Sequence, residues 1–413
     1  MKQDITKCSE GVKAMMKNFL KYFVIFGILV NLNAQANDNL VGKWKFILKM
    51  THTQVPFIIE FTKNKNIVHA TIVNGKERIL IDEVTIKDNS VYIPLPNYEV
   101  ALDLTMQGES AITGDYLRLN KSPVLKTPLY GVKNQPRFEK RSSAAGISLN
   151  GRWGIELVDQ EGKKTDGVAN FTQEGNRFHG SILTPTGDYR YLEGIVWGNN
   201  FEGASFDGMY NYTFRGTIEK NVLNAQILSN TLTEVTGKLN LKAKLPDAYK
   251  QTMLGELKFI FPNLKGEHVS LNHKKFKGKP VIVVIYGSWC PNCLDEMNYL
   301  IPWYKKNNKR GIEVIALAFE RSLDEKAAKA QLKKVIDRNK IPYTVLLAGS
   351  TAQDKPAEKL KGLKNFISFP TTIFLNKGHQ VVKVHAGFNG PSTGEFFETW
   401  KTEFNQTVDE LLK

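Results

Sequence analysis

The sequence predicts a multidomain protein in which an all-β region is followed by an α/β domain. In residues 40–245, short stretches of alternating polarity are separated by Asn, Gly and Asp clusters, as in antiparallel strands joined by tight turns. After residue 255, apolar strand-like runs alternate with helical stretches, which is typical of an α/β sheet with at least one parallel crossover. A chain of 413 residues is long enough for two or three domains, each with its own hydrophobic core.

Residues 1–36 are predicted to form an export signal. A positively charged flank precedes a largely apolar run over residues 22–32, and Ala34-Gln35-Ala36 supplies an A-x-A-like cleavage site. Crossing a bilayer takes about 20 apolar residues, so this run is too short for a permanent anchor. We therefore expect an exported, periplasmic protein that is soluble after cleavage.

An internal repeat divides the all-β region. Residues 40–44 (LVGKW) return as residues 149–153 (LNGRW), at an offset of about 110 residues. Each copy holds roughly eight strand-like stretches, so we expect two antiparallel meanders or barrel-like units. The predicted units are a signal peptide (1–36), two β-repeats (37–145 and 146–249) and the α/β domain (250–413).

The α/β domain is expected to contain five main strands and three helices. The strands are predicted at residues 281–286, 312–319, 343–347, 371–375 and 381–385, and the helices at residues 295–307, 323–338 and 393–412. Basic residues are concentrated in this domain, with 26 Lys and Arg against 16 Asp and Glu in residues 250–413. Because the lysines are scattered, a solvated basic surface is favoured over nucleic-acid binding, with attraction to acidic partners or anionic lipid as the alternative.

Cys290 and Cys293, separated by Pro291 and Asn292, form the only close pair among three cysteines. At a strand-to-helix junction, such a pair works as a dithiol/disulfide couple. Unpaired N–H groups and the helix dipole favour the thiolate of Cys290, which makes it the expected nucleophile. Cys293, one turn deeper, is expected to resolve the mixed disulfide. The third cysteine, Cys8, is absent if translation starts at Met15 or Met16.

A Cys-x-x-Cys motif is also half of a zinc site. Zinc is disfavoured because no second such motif exists and four histidines of the domain (268, 273, 379 and 385) lack ligand spacing. The sequence has no glycine-rich phosphate loop, so neither a metal nor a nucleotide cofactor is expected.

Two neighbouring features bear on the cysteine pair. Glu296 lies three residues after Cys293, where a partly buried carboxyl group would exchange a proton with that cysteine. The alternative is a solvated glutamate on the helix surface. If the Phe369–Pro370 bond is cis, its loop can approach the cysteines and offer backbone groups to an extended substrate segment. The alternative is an ordinary trans proline at a strand start.

Residues 255–413 resemble the thioredoxin fold, and specifically the TlpA/ResA-like thiol–disulfide oxidoreductases. Residues 287–293 (GSWCPNC) fit the active site of that family, and Glu296 falls where ResA-like members keep a functional glutamate. Residues 369–372 (FPTT) match the cis-proline loop, and residues 376–387 match the closing hairpin.

The resemblance implies a protein disulfide reductase that is recharged by a membrane electron-transfer partner, with roles in cell redox homeostasis and cytochrome c biogenesis. Its catalytic residues would be Cys290, Cys293 and Glu296, and its substrate-binding residues Trp289, Pro291, Phe369 and Pro370. Many members place proline second between the cysteines, whereas here it is first. The direction of electron flow therefore stays open. A disulfide oxidase or isomerase is one alternative, and a binding module with a redox-sensitive clamp is another. Dimerisation through the β-repeats is a further expectation.

Overall fold

The computed structural model describes residues 38–65, 67–246, 254–363 and 366–413. The predicted export signal, its alternative starts and Cys8 lie outside the described residues, as do residues 247–253 at the predicted domain boundary. Within the described ranges, no helix is long and apolar enough to cross a membrane.

Nine antiparallel strands form the first β unit. They are β1 (Gly42–Lys49), β2 (Gln54–Asn64), β3 (Ile67–Asn74), β4 (Glu77–Ile81), β5 (Thr85–Lys87), β6 (Ser90–Pro94), β7 (Val100–Met106), β8 (Ala111–Arg118) and β9 (Leu125–Lys133). The sheet order is β4-β3-β2-β1-β9-β8-β7-β6-β5. On β1, Trp44, Phe46 and Leu48 are fully buried while the residues between them are more exposed. That two-residue period is the pattern from which the strands were predicted.

The second β unit also has nine strands. They are β10 (Gly151–Val158), β11 (Lys164–Glu174), β12 (Arg177–Thr184), β13 (Gly187–Asp188), β14 (Leu192–Trp197), β15 (Asn200–Phe206), β16 (Asn211–Glu219), β17 (Val222–Leu228) and β18 (Leu232–Leu239). β11 pairs with both β10 and β12, which closes the sheet into a barrel. We refer to this unit as the barrel. Four buried rings, Phe171, Phe178, Phe201 and Phe214, pack together inside it.

The opening of each unit makes the same side-chain contact. Trp44 Nε1 donates to the Leu40 carbonyl at 2.7 Å, and Trp153 Nε1 donates to the Leu149 carbonyl at 2.9 Å. Both bonds are buried, so each tryptophan fills its core without leaving its N–H unpaired.

The two β units pack tightly against each other. The ring of Phe206 in the barrel stacks on Phe57 of the first unit, with 3.6 Å between centroids. Arg137, in the connection between the units, is buried and bonds to the Pro56 carbonyl of the first unit and the Ala204 carbonyl of the barrel. The all-β prediction is confirmed for this part of the chain.

The third unit, residues 254–413, is an α/β domain. Its strands are β19 (Leu254–Lys258), β20 (Ile260–Pro262), β21 (His268–Ser270), β22 (Val281–Tyr286), β23 (Glu313–Glu320), β24 (Thr344–Ser350), β25 (Lys361–Leu363), β26 (Thr371–Leu375) and β27 (Val381–Ala386), and its helices are α1 (Pro291–Asn307), α2 (Glu325–Asn339), α3 (Pro356–Lys359) and α4 (Glu395–Leu412). The central sheet runs β24-β23-β22-β26-β27, with β22, β23 and β24 parallel and the last two antiparallel. All six residues of β22 are buried because both faces of the sheet are covered, which explains its continuous apolar sequence.

The predicted elements of this domain are confirmed, with shifted ends. The first helix was expected from residue 295 but begins at Pro291, because Cys290 caps it and proline suits the first helical position. The second helix begins at Glu325, after Asp324 accepts the N–H of Lys326 at 2.9 Å.

Candidate active site

The junction between β22 and α1 places the two cysteines. Cys290 is the N-cap of α1, and its sulfur accepts the backbone N–H of Cys293 at 3.3 Å. Both are free thiols, with exposed fractions of 5% for Cys290 and 2% for Cys293. Burial raises the pKa of the Cys293 thiol well above its usual range, and negative charge on Cys290 or Glu296 raises it further. Cys293 therefore needs a base before it can attack.

The Phe369–Pro370 loop faces the first cysteine. The peptide bond is cis, and the Cys290 thiol lies 3.7 Å from the Phe369 carbonyl, to which it donates. Trp289 packs edge-on against the Phe369 ring at 5.3 Å, and its indole N–H bonds to the Phe319 carbonyl at 2.8 Å. The predicted substrate-binding residues Trp289, Phe369 and Pro370 thus gather around Cys290, and Pro291 occupies the first turn of α1.

Glu296 lies inside the domain and not on the helix surface. Its side chain is fully buried, and Oε1 accepts the Thr372 hydroxyl at 2.5 Å. Its Oε2 atom has no hydrogen-bond partner in the described part of the chain. Burial raises the pKa of this carboxyl group from 4.5 to about 7. A carboxyl group with such a pKa both accepts and donates protons near neutral pH.

A second buried carboxyl group lies near the same junction, and the sequence did not reveal it. Glu320, at the end of β23, accepts the backbone N–H of Ser288 at 3.2 Å and its hydroxyl at 2.6 Å. Burial raises the pKa of Glu320 to about 7. The next residue, Arg321, lies 4.5 Å above the ring of Trp289.

Asn292, between the cysteines, contacts the barrel. Its Oδ1 atom accepts the Tyr210 hydroxyl at 2.9 Å. Its Nδ2 atom donates to the carbonyls of Asp188 at 3.1 Å and Phe388 at 3.3 Å. Sequence reasoning missed this contact, because Tyr210 and Asp188 are remote in the chain and belong to another unit.

One turn along α1, Asp295 makes a second contact with the barrel. Both of its oxygens accept from Arg190, at 2.9 Å from Nε and 2.8 Å from Nη2. The same guanidinium bonds to Asp207 of the barrel and Glu77 of the first β unit, each at 2.5 Å. Arg190 is only 2% exposed. Nothing in the local sequence around Arg190 indicates this role.

The part of the chain that the structure describes offers no cluster of side chains for binding a metal ion. There, no group of three or more His, Cys, Asp and Glu side chains is arranged to hold a metal ion.

A dithiol capping the helix that follows a central parallel strand, with a cis-proline loop opposite, is an arrangement of the thioredoxin fold. Residues 254–413 have the strand order and helices of that fold. The domain is therefore of the thiol–disulfide oxidoreductase class.

Similarity to known proteins narrows this class. Residues 243–397 match the Redoxin family model. The thiol-disulfide oxidoreductase ResA of Halalkalibacterium halodurans is 26% identical over 146 residues, which are 35% of this chain and 74% of that protein. The ResA of Bacillus thuringiensis subsp. konkukian is 29% identical over 125 residues, 30% of this chain and 64% of that protein. The C-terminal segment is thus a TlpA/ResA-like thiol–disulfide oxidoreductase domain.

The solved structures that match part of this chain include a thiol:disulfide interchange protein, thioredoxin family protein, from Chlorobium tepidum TLS. It is 18% identical, covers 39% of this chain and 97% of its own, and gives a TM-score of 0.29. The Redoxin match begins at residue 243, so the first β unit and the barrel lie outside it.

Proposed function

We propose that this chain is an exported enzyme that reduces protein disulfides through the Cys290/Cys293 couple, with Glu296 as the proton acceptor for Cys293. The observation that carries the proposal is the fully buried Glu296 carboxyl group, one helical turn from Cys293, with its pKa raised to about 7. A buried thiol with a raised pKa and a neighbouring base of near-neutral pKa suit a resolving cysteine.

The reaction has two exchange steps. The Cys290 thiolate attacks one sulfur of the substrate disulfide, forming a mixed disulfide and releasing the first substrate thiolate, which takes a proton from water. Glu296 then accepts the Cys293 proton, and the Cys293 thiolate attacks the Cys290 sulfur. That attack releases the second substrate thiolate, which is protonated in turn. The substrate gains two electrons, and the enzyme is left with a Cys290–Cys293 disulfide.

Turnover requires an external dithiol that reduces this disulfide again. The family resemblance supports a membrane electron-transfer partner in that role, and the predicted signal at residues 1–36 supports action outside the cytoplasm. A link to cytochrome c biogenesis and dimerisation through the β units stay predictions.

Three single variants test the exchange steps. Cys293→Ser is expected to accumulate a mixed disulfide with insulin, whose disulfide bonds serve as the substrate. Cys290→Ser is expected to form none. Glu296→Gln is expected to slow the second step near neutral pH, while Glu410→Gln, an exposed glutamate on α4, serves as the matched control. Unchanged rates and an unchanged Cys293 pKa in Glu296→Gln would refute the proton-acceptor role.

The equilibrium reduction potential against glutathione tests the direction of electron flow. A potential near about −270 mV or below supports a reductase, whereas one approaching about −120 mV supports the oxidase alternative.

A further inference from the structure

The barrel packs against the start of α1, beside the proposed exchange site, where it contacts Asn292 and Asp295. Cys290 and Cys293 are only 5% and 2% exposed, although the attacking sulfur of a thiol–disulfide oxidoreductase must reach a sulfur of its substrate. At this exposure, the Cys290 sulfur offers little surface to a disulfide held in a folded protein. The contacts that hold the barrel against α1 therefore bear on access to the site.

The first contact is a set of hydrogen bonds on Asn292. Tyr210 donates to its Oδ1 atom, and the Asp188 carbonyl accepts from its Nδ2 atom. Gly187 packs against the same amide so closely that a Cβ there would lie 2.9 Å from Nδ2. The barrel thus contacts Asn292, the second of the two residues between the cysteines, on two sides.

The second contact is the ion cluster around Arg190. Its guanidinium uses four of five N–H donors, on Asp295 of α1, Asp207 of the barrel and Glu77 of the first β unit. One residue joins all three units.

Asp188 extends the contact beyond α1. One of its carboxylate oxygens accepts the Gly390 backbone N–H at 2.6 Å, and the other accepts the Ser392 hydroxyl at 3.1 Å. Asp188 and Arg190, two residues apart on the barrel, therefore hold both the start of α1 and the segment after β27.

We propose that the barrel is a releasable cover on the dithiol, held by Arg190–Asp295 and Tyr210–Asn292, and that protein disulfides reach Cys290 only after this cover opens. The proposal rests on the proposed function. It adds that the position of the barrel controls which substrates reach the dithiol. The cover selects by size, since a small disulfide needs a narrower opening than a folded protein.

The chemistry of the contact suits a reversible cover. Arginine and carboxylate groups are well hydrated in water, so desolvation offsets much of the attraction gained when they are buried together. Polar interfaces between domains commonly permit relative motion. Leu294 adds an apolar contact with the core of the first β unit. Further contacts between the barrel and this domain are an ion pair between Arg152 of β10 and Glu395 of α4, and close backbone packing of Gly387 against Thr186.

The test compares the reactivity of Cys290 toward two probes that carry the same reactive group but differ in size. N-ethylmaleimide is the small probe, and a maleimide on a long polyethylene-glycol chain is the large one. Labelling of the full-length, reduced protein is quantified at Cys290 by peptide mass spectrometry. The variants are Asp295→Asn, Tyr210→Phe and their combination, and the matched control is Asp337→Asn, which changes an exposed aspartate paired with Lys333 on α2.

The ratio of large-probe to small-probe rates is expected to rise about tenfold or more in Asp295→Asn, because a buried charge-assisted bond is lost from the closed arrangement alone. The combined variant should show a larger rise, and Asp337→Asn none. Tyr210→Phe removes no charge and carries the test if Asp295→Asn does not fold, as judged by near-ultraviolet circular dichroism. If the ratio of large-probe to small-probe rates is equal in the wild type and all variants, the proposal that the barrel covers the dithiol is wrong.

Reduction of insulin by the same proteins separates this proposal from the proposed function. A raised labelling ratio without any insulin reduction supports the cover and refutes disulfide reduction. An unchanged ratio with normal insulin reduction refutes the cover and leaves the function in place.

Discussion

Replacing Glu296 with glutamine should change how the stability of the protein depends on pH. The carboxyl group is fully buried, and its pKa in the folded protein is raised from 4.5 to about 7. It therefore binds a proton more tightly when folded than when unfolded. Its contribution to stability is fully present below pH 4.5 and is lost as the pH rises through 7.

The magnitude follows from the two pKa values. Between pH 5 and pH 8, linkage gives a loss of about 2.5 kcal/mol from this one group in the wild type. Glutamine keeps the oxygen that accepts the Thr372 hydroxyl but does not titrate. The variant should therefore gain about 2.5 kcal/mol relative to the wild type over this range.

Urea denaturation of the reduced proteins at pH 5 and pH 8 measures this difference. Other buried carboxyl groups with raised pKa values, such as Glu320 and Glu77, titrate in both proteins, so the comparison isolates Glu296. Glu410→Gln, on the exposed face of α4, is the control and should follow the wild type. If Glu296→Gln shows the same change in unfolding free energy between the two pH values as the wild type, the burial argument is wrong.

Two further substitutions address the contacts between units. Phe206→Ala should lower the unfolding free energy by about 3–5 kcal/mol, measured by urea denaturation, because a fully buried ring stacked on Phe57 is lost. Gly187→Ala should raise labelling of Cys290 by the large maleimide, because the glycine has φ +133° and a Cβ would press on Asn292.

Each of these two substitutions has a matched control. Tyr130→Ala removes a ring from the exposed face of β9 and should cost far less stability than Phe206→Ala. Gly162→Ala also places alanine at positive φ, +78°, but its Cβ meets no atom within 4 Å. The packing described would be contradicted if Phe206→Ala and Tyr130→Ala lowered the unfolding free energy equally. Equal labelling of Cys290 in Gly187→Ala and Gly162→Ala would also contradict it.

Local sequence patterns were enough to predict the elements of the fold. The two-residue period on β1 and the buried run of β22 reflect which sheet faces are covered, so each can be read within one strand. Closure was not predictable in this way. The barrel closes because β11 pairs with β12, while the first sheet ends at β4 and β5, although both units have similar alternating sequences.

In the candidate site, too, the local features could be predicted from the sequence and the contacts between units could not. Cys290, Cys293 and Glu296 follow one another at helical spacing, and the sequence placed them together. The contacts of Asn292 with Tyr210 and of Asp295 with Arg190 span 82 and 105 residues of chain. Such contacts depend on how separate units pack, and the spacing of neighbouring residues contains no information about that.

Arg190 also has a consequence for how the protein unfolds. Its guanidinium group bonds to carboxylates from all three units, so separating either the first β unit or the α/β domain from the barrel breaks at least one of these bonds. The folded states of the three units are therefore thermodynamically linked. In calorimetry, this linkage would merge their heat-absorption peaks toward a single cooperative event.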